Sequence, residues 1–201
     1  MTVAAQNQAT IGCMDIRGWE EGYRSEDFDP EPTALVVETA IAVPPGKALD
    51  LACGAGGNAL WLAEQGWNVT AVDGAPAAIE IVRKRVSERG LRVDARVADL
   101  EKGEYRIEPS AWDLITICNY LQRDLFEPAK LGIRPGGLLL AIVHVTEAGE
   151  EPTYKRLKPG ELERYFHGWE IVHRYEGRPH GSANQRRVAE IVAQRPMDWN
   201  Q

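Results

Sequence analysis

The residues most able to do chemistry cluster around one short run. Leu49-Asp50-Leu51-Ala52-Cys53-Gly54-Ala55-Gly56-Gly57-Asn58 joins an apolar, strand-like segment to a helical one. Glycine in such a run lets the chain turn tightly and lets a ligand reach the main chain with no Cβ in the way. The helix N-terminus behind it offers free N–H groups and a partial positive charge. Asp73 closes the next apolar segment, at the spacing of about 20 residues expected of a carboxylate that accepts hydrogen bonds from ribose hydroxyls. Asp99, between Ala98 and Leu100, closes the segment after that; an acid there can take a bond from an adenine amino group, with Leu100 against the ring. Turn and acids together specify an adenosine-type ligand. In the bland alternative, Gly54 and Gly56 are ordinary turn residues and Asp73 caps a helix; the strand–turn–helix context favours the ligand.

These residues need a scaffold, and the pattern supplies one. Short apolar runs at 48–52, 68–72, 92–98, 112–118 and 138–145 read as strands, separated by helical patterns at 58–65, 75–89 and 125–131. Repeated strand–helix–strand order with near-continuous apolar strands predicts a parallel sheet covered on both faces. An earlier helix is expected from Pro30 or Glu31 to Ala42, with Asp29 as its cap. Pro135-Gly136-Gly137 reads as a turn before the fifth strand. Segments 169–175 and 187–193 read as an edge hairpin, and Glu161–Phe166 as an amphipathic helix with its charges toward solvent. The organisation read from this is an N-terminal arm and cap helices over 1–43, one catalytic domain over 44–195 and a tail over 196–201. The first fifteen residues are expected to be poorly ordered.

Composition narrows the partner. Lys and Arg number 23 against 30 Asp and Glu, a formal charge of −7, which repels nucleic-acid backbones and anionic lipid. A small molecule is the expected partner, without nucleic acid or membrane. Three widely spaced cysteines, Cys13, Cys53 and Cys118, form no CxxC pair, so reduced thiols, no metal and a cytoplasmic setting are expected. No run approaches the ~18 apolar residues of a membrane span. The chain is expected to be a monomer or homodimer.

Three details favour a sulfonium nucleoside over a dinucleotide. The turn lacks a full GxGxxG, with Ala52 first and Ala59 last. Asp50 before the turn would repel a pyrophosphate but suits an ammonium or sulfonium. Asp99 completes a third strand-tip acid. On these motifs the sequence resembles the class I S-adenosylmethionine-dependent methyltransferases, from about Lys47 to Leu140 and more loosely to Gln194. Leu49–Asn58 is similar to their first motif, Val69–Asp73 to the ribose acid, Ala98–Leu100 to the adenine contact, and Ile133–Gly137 to the turn before the fifth strand. The phrases around the cofactor resemble most the tellurite-resistance and thiopurine subgroup, which modifies small thiol, selenium, tellurium or aromatic nucleophiles. The resemblance implies S-adenosylmethionine as cofactor and a three-layer α/β Rossmann-like sandwich. Its seven-stranded sheet would have the order 3-2-1-4-5-7-6 with strand seven antiparallel. The sequence departs at Ala52, where a methyl group should be tolerated, and at Gly74-Ala75, where contacts would run through the backbone.

The implied reaction is in-line displacement of an activated methyl, which needs alignment and exclusion of water more than acid–base chemistry. Asn119 and Cys118 follow the fourth strand, where family members meet cofactor and acceptor; Asn119 also suits a turn or cap. Trp19 and Tyr23 resemble a W-x-x-x-Y segment that packs over the cofactor. Tyr23 would cover the methionine end and Arg24 pair with its carboxylate; equally, the two aromatics would staple a helix. Asp50, Ala52, Gly54, Asn58, Asp73, Gly74, Asp99 and Leu100 complete the expected cofactor set. His144, Tyr154, Lys155 and His180 are candidates to orient an acceptor, with Asn119, His144 and Tyr154 taken as the catalytic set. An NAD(P)-dependent oxidoreductase would share the turn and ribose acid, but the chain has no Tyr-x-x-x-Lys pair. A binding-only sensor would share them too.

Overall fold

The computed structural model describes residues 16–25, 31–147, 149–151, 153–179 and 186–198. Asp29 and Pro30, His180 and the expected N-terminal tail lie outside the described residues.

Seven strands form one sheet: β1 (Lys47–Leu51), β2 (Asn68–Asp73), β3 (Val93–Val97), β4 (Trp112–Cys118), β5 (Ile133–His144), β6 (Glu170–Gly177) and β7 (Val188–Gln194). Their order is β3-β2-β1-β4-β5-β7-β6. β1 lies parallel between β2 and β4, β5 is parallel to β4, and β7 runs antiparallel to both β5 and β6. This is the Rossmann-like topology expected from the sequence. Because β2 and β3 grow to one side of β1 while β4 and β5 grow to the other, a crevice opens at the carboxyl ends of β1 and β4.

The strands are apolar on both faces because both faces are covered. Along β1, Ala48 enters one core and Leu49 the other; along β4, Leu114 and Ile115 divide in the same way. On one face α2 (Ala34–Ile41) and α3 (Gly57–Glu64) deliver Leu35, Val36, Ala59 and Leu62. The opposite face receives Phe126 from α5 (Phe126–Gly132), Leu162 from α6 (Glu161–Arg164), and Phe166 and Trp169 beyond it. The helix α4 (Pro76–Arg89) closes a smaller cluster of Ile79, Val82 and Ala95 beneath β3. Each fully buried Leu or Ile contributes about 1.5–3 kcal/mol to this packing. The helix α1 (Ile16–Ser25) has no buried residue and lies across the carboxyl edge of the sheet, against α4.

Three elements differ from expectation. Helix α2 starts at Ala34, because Thr33 is extended (φ −67°, ψ 128°) and its carbonyl takes the first bonds, from Val36 and Val37. Pro32 just upstream restrains Glu31 from helical geometry. The Pro135-Gly136-Gly137 turn proves to be an excursion inside β5: Ile133 pairs with Trp112, and pairing resumes with Leu138 opposite Leu114. Gly136 makes this possible at φ 77°. Helix α6 ends at Arg164, after which Tyr165 and Phe166 bond back to Leu162 and Glu163 in a tighter turn.

Two glycines with matching backbones separate strain from packing. Gly56 (φ 87°) and Gly66 (φ 88°) are both left-handed, but a Cβ on Gly56 would lie 2.7 Å from Val82 Cγ2 while one on Gly66 would meet open space. Gly66→Ala should therefore cost the left-handed penalty alone, about 1–2 kcal/mol. Gly56→Ala should cost about 1–3 kcal/mol more through overpacking against α4. Urea denaturation of the two variants side by side measures the difference.

Candidate active site

The parallel strands bring the ends of β1 to β4 to one edge of the sheet, and with them the acids expected from the sequence. Asp73 organises the edge. Its Oδ2 accepts the Gly54 N–H at 2.9 Å and its Oδ1 accepts the Ala75 N–H at 2.8 Å. One carboxylate thus ties the glycine turn to the start of α4. Burial pushes the Asp73 carboxyl above its ordinary range, against these amide bonds. The Gly74 amide also bonds this carboxylate, and part of its capacity of about four lone-pair sites remains for a ligand hydroxyl.

The turn itself is left-handed at Ala52 (φ 53°), Gly54 (φ 54°) and Gly56 (φ 87°). The expectation that a methyl is tolerated at Ala52 needs correcting in its energetics: a non-glycine residue in this region carries about 1–2 kcal/mol of strain. The strain is held in place because Cys53, next in the chain, donates its N–H to the Val72 carbonyl at 3.0 Å. Cys53 is a free thiol whose pKa burial drives well up, in keeping with packing rather than reactivity.

Asp50 lies beneath the turn, 1% exposed. Its Oδ1 accepts the Thr116 hydroxyl from β4 at 2.7 Å. Its Oδ2 is sealed from solvent with no well-formed hydrogen bond. Burial raises the carboxyl to about 7, with the Thr116 hydroxyl and the Ala59 amide of α3 pulling the other way. Asp99 is buried at the tip of β3, where it accepts the Glu101 and Lys102 amides and pairs with Lys102 Nζ at 2.9 Å. The Lys102 contact holds its carboxyl below the ordinary range. Leu100 is buried in the larger core, its carbonyl accepting from Gln122 Nε2 at 3.2 Å.

Helix α1 closes the edge from above. Trp19 and Tyr23 stack with ring centroids 5.8 Å apart. The Tyr23 hydroxyl rests against Gly54, 2.6 Å from where a Cβ would sit, and Ile16 rests against Gly74 in the same way at 2.9 Å. Burial first, and then the charge of Asp73, raise the Tyr23 pKa far above its usual value. Arg24, expected to meet a ligand carboxylate, is bonded instead to Glu20 one turn back, through Nε at 2.8 Å.

Other candidates are placed around this edge with distinct partners. Asn58 Oδ1 accepts the Thr33 N–H at 2.8 Å, and the half-buried Cys118 thiol lies beside the Thr33 and Asn58 side chains, so both help seat α2 on the sheet. Asn119 is exposed and left-handed (φ 58°) at the end of β4, its N–H donated to the Ile142 carbonyl of β5. His144 ends β5; its buried Nδ1 has no hydrogen-bond partner among the described residues. Burial, with Arg186 and Arg156 nearby, holds its pKa below the ordinary value against a bond to the Arg187 backbone, and so favours the neutral ring. Tyr154 is 72% exposed, with Lys155 Nζ over its ring at 5.3 Å.

Gln122 and Arg123 escape a reading of the sequence, whereas Tyr120 stands with Asn119 in the run after the fourth strand. Tyr120 is half-buried, and burial with the acids Glu101, Asp99 and Asp73 raises its pKa strongly. Its hydroxyl donates to Gln122 Oε1 at 2.8 Å, joining the loops after β3 and β4. Arg123, at the start of a short 3₁₀ turn (Arg123–Leu125), donates to Glu161 and to the carbonyls of Thr153, Tyr154 and Arg156. Glu161 is therefore turned toward Arg123 rather than solvent, a correction to the amphipathic reading. Burial alone would raise its carboxyl, but the Arg123 bond and the Lys158 amide outweigh that and lower it. Chain-distant pairs such as these leave no periodicity to find. Among the described residues there is no cluster of His, Cys, Asp and Glu suited to a metal, and no helix long and apolar enough to cross a membrane.

A glycine turn at the crevice of this sheet, with an acid at the tip of each of β2 and β3 and another sealed beneath, defines the class I S-adenosylmethionine-dependent methyltransferases. Comparison with known proteins agrees. The family model described as tellurite resistance protein TehB matches residues 18–185, and the chain belongs to that family. The crystal structure of TehB from Haemophilus influenzae superposes with a TM-score of 0.71 at 22% identity, covering 81% of this chain and 62% of that one. Among curated proteins, Hemagglutinin 1 of Eikenella corrodens is 29% identical over 151 residues, covering 71% of this chain and 50% of that protein. The ubiquinone biosynthesis O-methyltransferase of Methylocella silvestris is 34% identical over 100 residues, covering 47% of this chain and 38% of that one. The chain thus spans half or less of the length of these two relatives.

Asp50 gives the site a pH signature. With its folded-state pKa near 7 against an ordinary 3.8, the folded chain keeps a proton that the unfolded chain releases. Its contribution to stability is complete below pH ~4, falls by up to ~1.4 kcal/mol per pH unit as pH rises toward ~7, and is flat above. Asp50→Asn removes that loss. The stability of Asp50→Asn relative to wild type should rise from pH 5 to 7 and level off by pH 8 in urea denaturation; a constant difference would refute it.

Proposed function

We propose that this chain transfers a methyl group from S-adenosylmethionine to a small, soft nucleophile, a thiol or a selenium or tellurium species. The observation that carries the reading is the acidic cradle: the Gly54 turn pinned by Asp73, above an Asp50 oxygen sealed without a well-formed partner. A cationic ligand suits this edge and a pyrophosphate does not. S-adenosylmethionine supplies, when bound, a methyl group already activated as an electrophile.

The chain's own residues then divide the remaining work. The free lone pairs of Asp73 accept from ribose hydroxyls, and Asp99 with Leu100 lines the base. Asp50 balances positive charge from below the turn. Tyr23 covers the turn and keeps water from it, which strengthens every electrostatic contact beneath. Asn119, His144 and Tyr154 stand on the acceptor side, at the ends of β4 and β5 and in the loop beyond. His144 is the one titratable group of the three set near the sheet edge; its lowered pKa leaves the imidazole free to accept a proton but makes it a weak base, and Asn119 carries no titratable proton. A soft nucleophile needs no general base, whereas an oxygen or nitrogen acceptor benefits from one. Membership of a family described by tellurite resistance supports the same chemistry.

Calorimetry with S-adenosylhomocysteine and with NAD tests the cofactor. Binding of the former alone is expected. Asp73→Ala and Asp99→Ala should each weaken it about 10- to 100-fold, the worth of a hydrogen bond to a charged group. Unchanged affinity in both folded variants would remove the assignment. Assaying labelled methyl transfer to a panel of thiols, selenite, tellurite and small phenols then ranks the acceptors, with thiols and chalcogen species expected ahead of phenols.

A further inference from the structure

Helix α4 begins without a cap of its own. Its N-cap position is Ala75, which has no side-chain acceptor, and Pro76 follows. The first turn of a helix leaves backbone N–H groups unsatisfied, and they attract anionic acceptors. One of them, the Ala77 N–H, is taken by Glu20 Oε2 at 2.9 Å, from a residue 57 positions earlier in the chain. The other carboxylate oxygen, Oε1, holds Arg24 at 2.6–2.8 Å. Glu20 is thus a cap supplied by α1.

The consequence lies on either side of Glu20. Helix α1 has no fully buried residue, and Ile16, Trp19 and Tyr23 are only partly covered, so apolar burial holds it less firmly than it holds the core helices. Yet Ile16, one turn before Glu20, lies against Gly74, and Tyr23, one turn after, lies against Gly54. Gly54 and Gly74 are the points where the main chain at the tips of β1 and β2 is bare. We propose that Glu20 is a positioning residue: by capping α4 it seats Tyr23 over the glycine turn and so sets how long the cofactor is retained. This rests on the cofactor reading above. Breaking the Glu20–Ala77 bond releases α1 as a unit and uncovers both glycines.

The test reads the latch and its effect separately. Hydrogen exchange of the Ala77 amide should quicken in Glu20→Ala while amides deeper in α4, such as that of Val82, stay protected. Dissociation of S-adenosylhomocysteine should speed about tenfold, the worth of one charge-assisted bond. Glu20→Gln, which keeps a carbonyl acceptor for Ala77, should recover part of that. In a Tyr23→Ala background, removing Glu20 should add little further, since the two act through one cover. Faster Ala77 exchange with unchanged dissociation would overturn the proposal, as would fully additive effects of the two substitutions. A wild-type chain that takes up no S-adenosylhomocysteine would sink the cofactor reading and the latch with it, an outcome distinct from the first because there the wild type binds.

Discussion

The rest of the edge depends on a carboxylate at the end of β2 reaching across to the main chain at the end of β1. Gly54 can donate to Asp73 only because the turn adopts left-handed backbone at three of its positions, and that backbone is stable only while something holds it. Asp73 does so from the adjacent strand, in a register fixed by five parallel pairings between β1 and β2. The same side chain caps the route into α4 through Ala75. The buried sheet therefore sets the turn geometry, and the turn geometry sets where a nucleoside meets bare main chain. Strain at Ala52 is the visible cost of that arrangement.

The electrostatics follow from the same convergence. Parallel strands that end at one edge bring their terminal acids together, and burial adds to their mutual repulsion. The outcome differs among them by partner. Asp99 has Lys102 and stays easily ionised, whereas Asp50 and Asp73 have only neutral donors and become harder to ionise. An edge of this kind gains more from a positively charged guest than three solvent-exposed acids would.

What was legible in the sequence was whatever repeats or punctuates. The strands at 68–73 and 112–118, the glycine turn and the terminal hairpin all carry periodicity or glycine and proline signals, and the sheet order follows from the family pattern they form. Helix starts were less legible: the extended Thr33 before α2 is held by its amide's bond to Asn58, far away in the sequence. Least legible were polar side chains that join distant segments. Nothing near Glu20 in the sequence marks Ala77 as its partner, and nothing near Glu161 marks Arg123. Glu161 was misjudged because a charge on a helix has several neighbours within reach, and tertiary packing selects among them.

Arg123 carries a last implication, for how this architecture diversifies. It grips the segment after β5 through the carbonyls of residues 153, 154 and 156, that is, through main chain. Apart from the Leu157 side chain, which is buried in the core, the segment is held by Arg123 through its backbone. The exposed side chains there, such as Tyr154, can therefore be exchanged without loosening the guanidinium's hold on the loop.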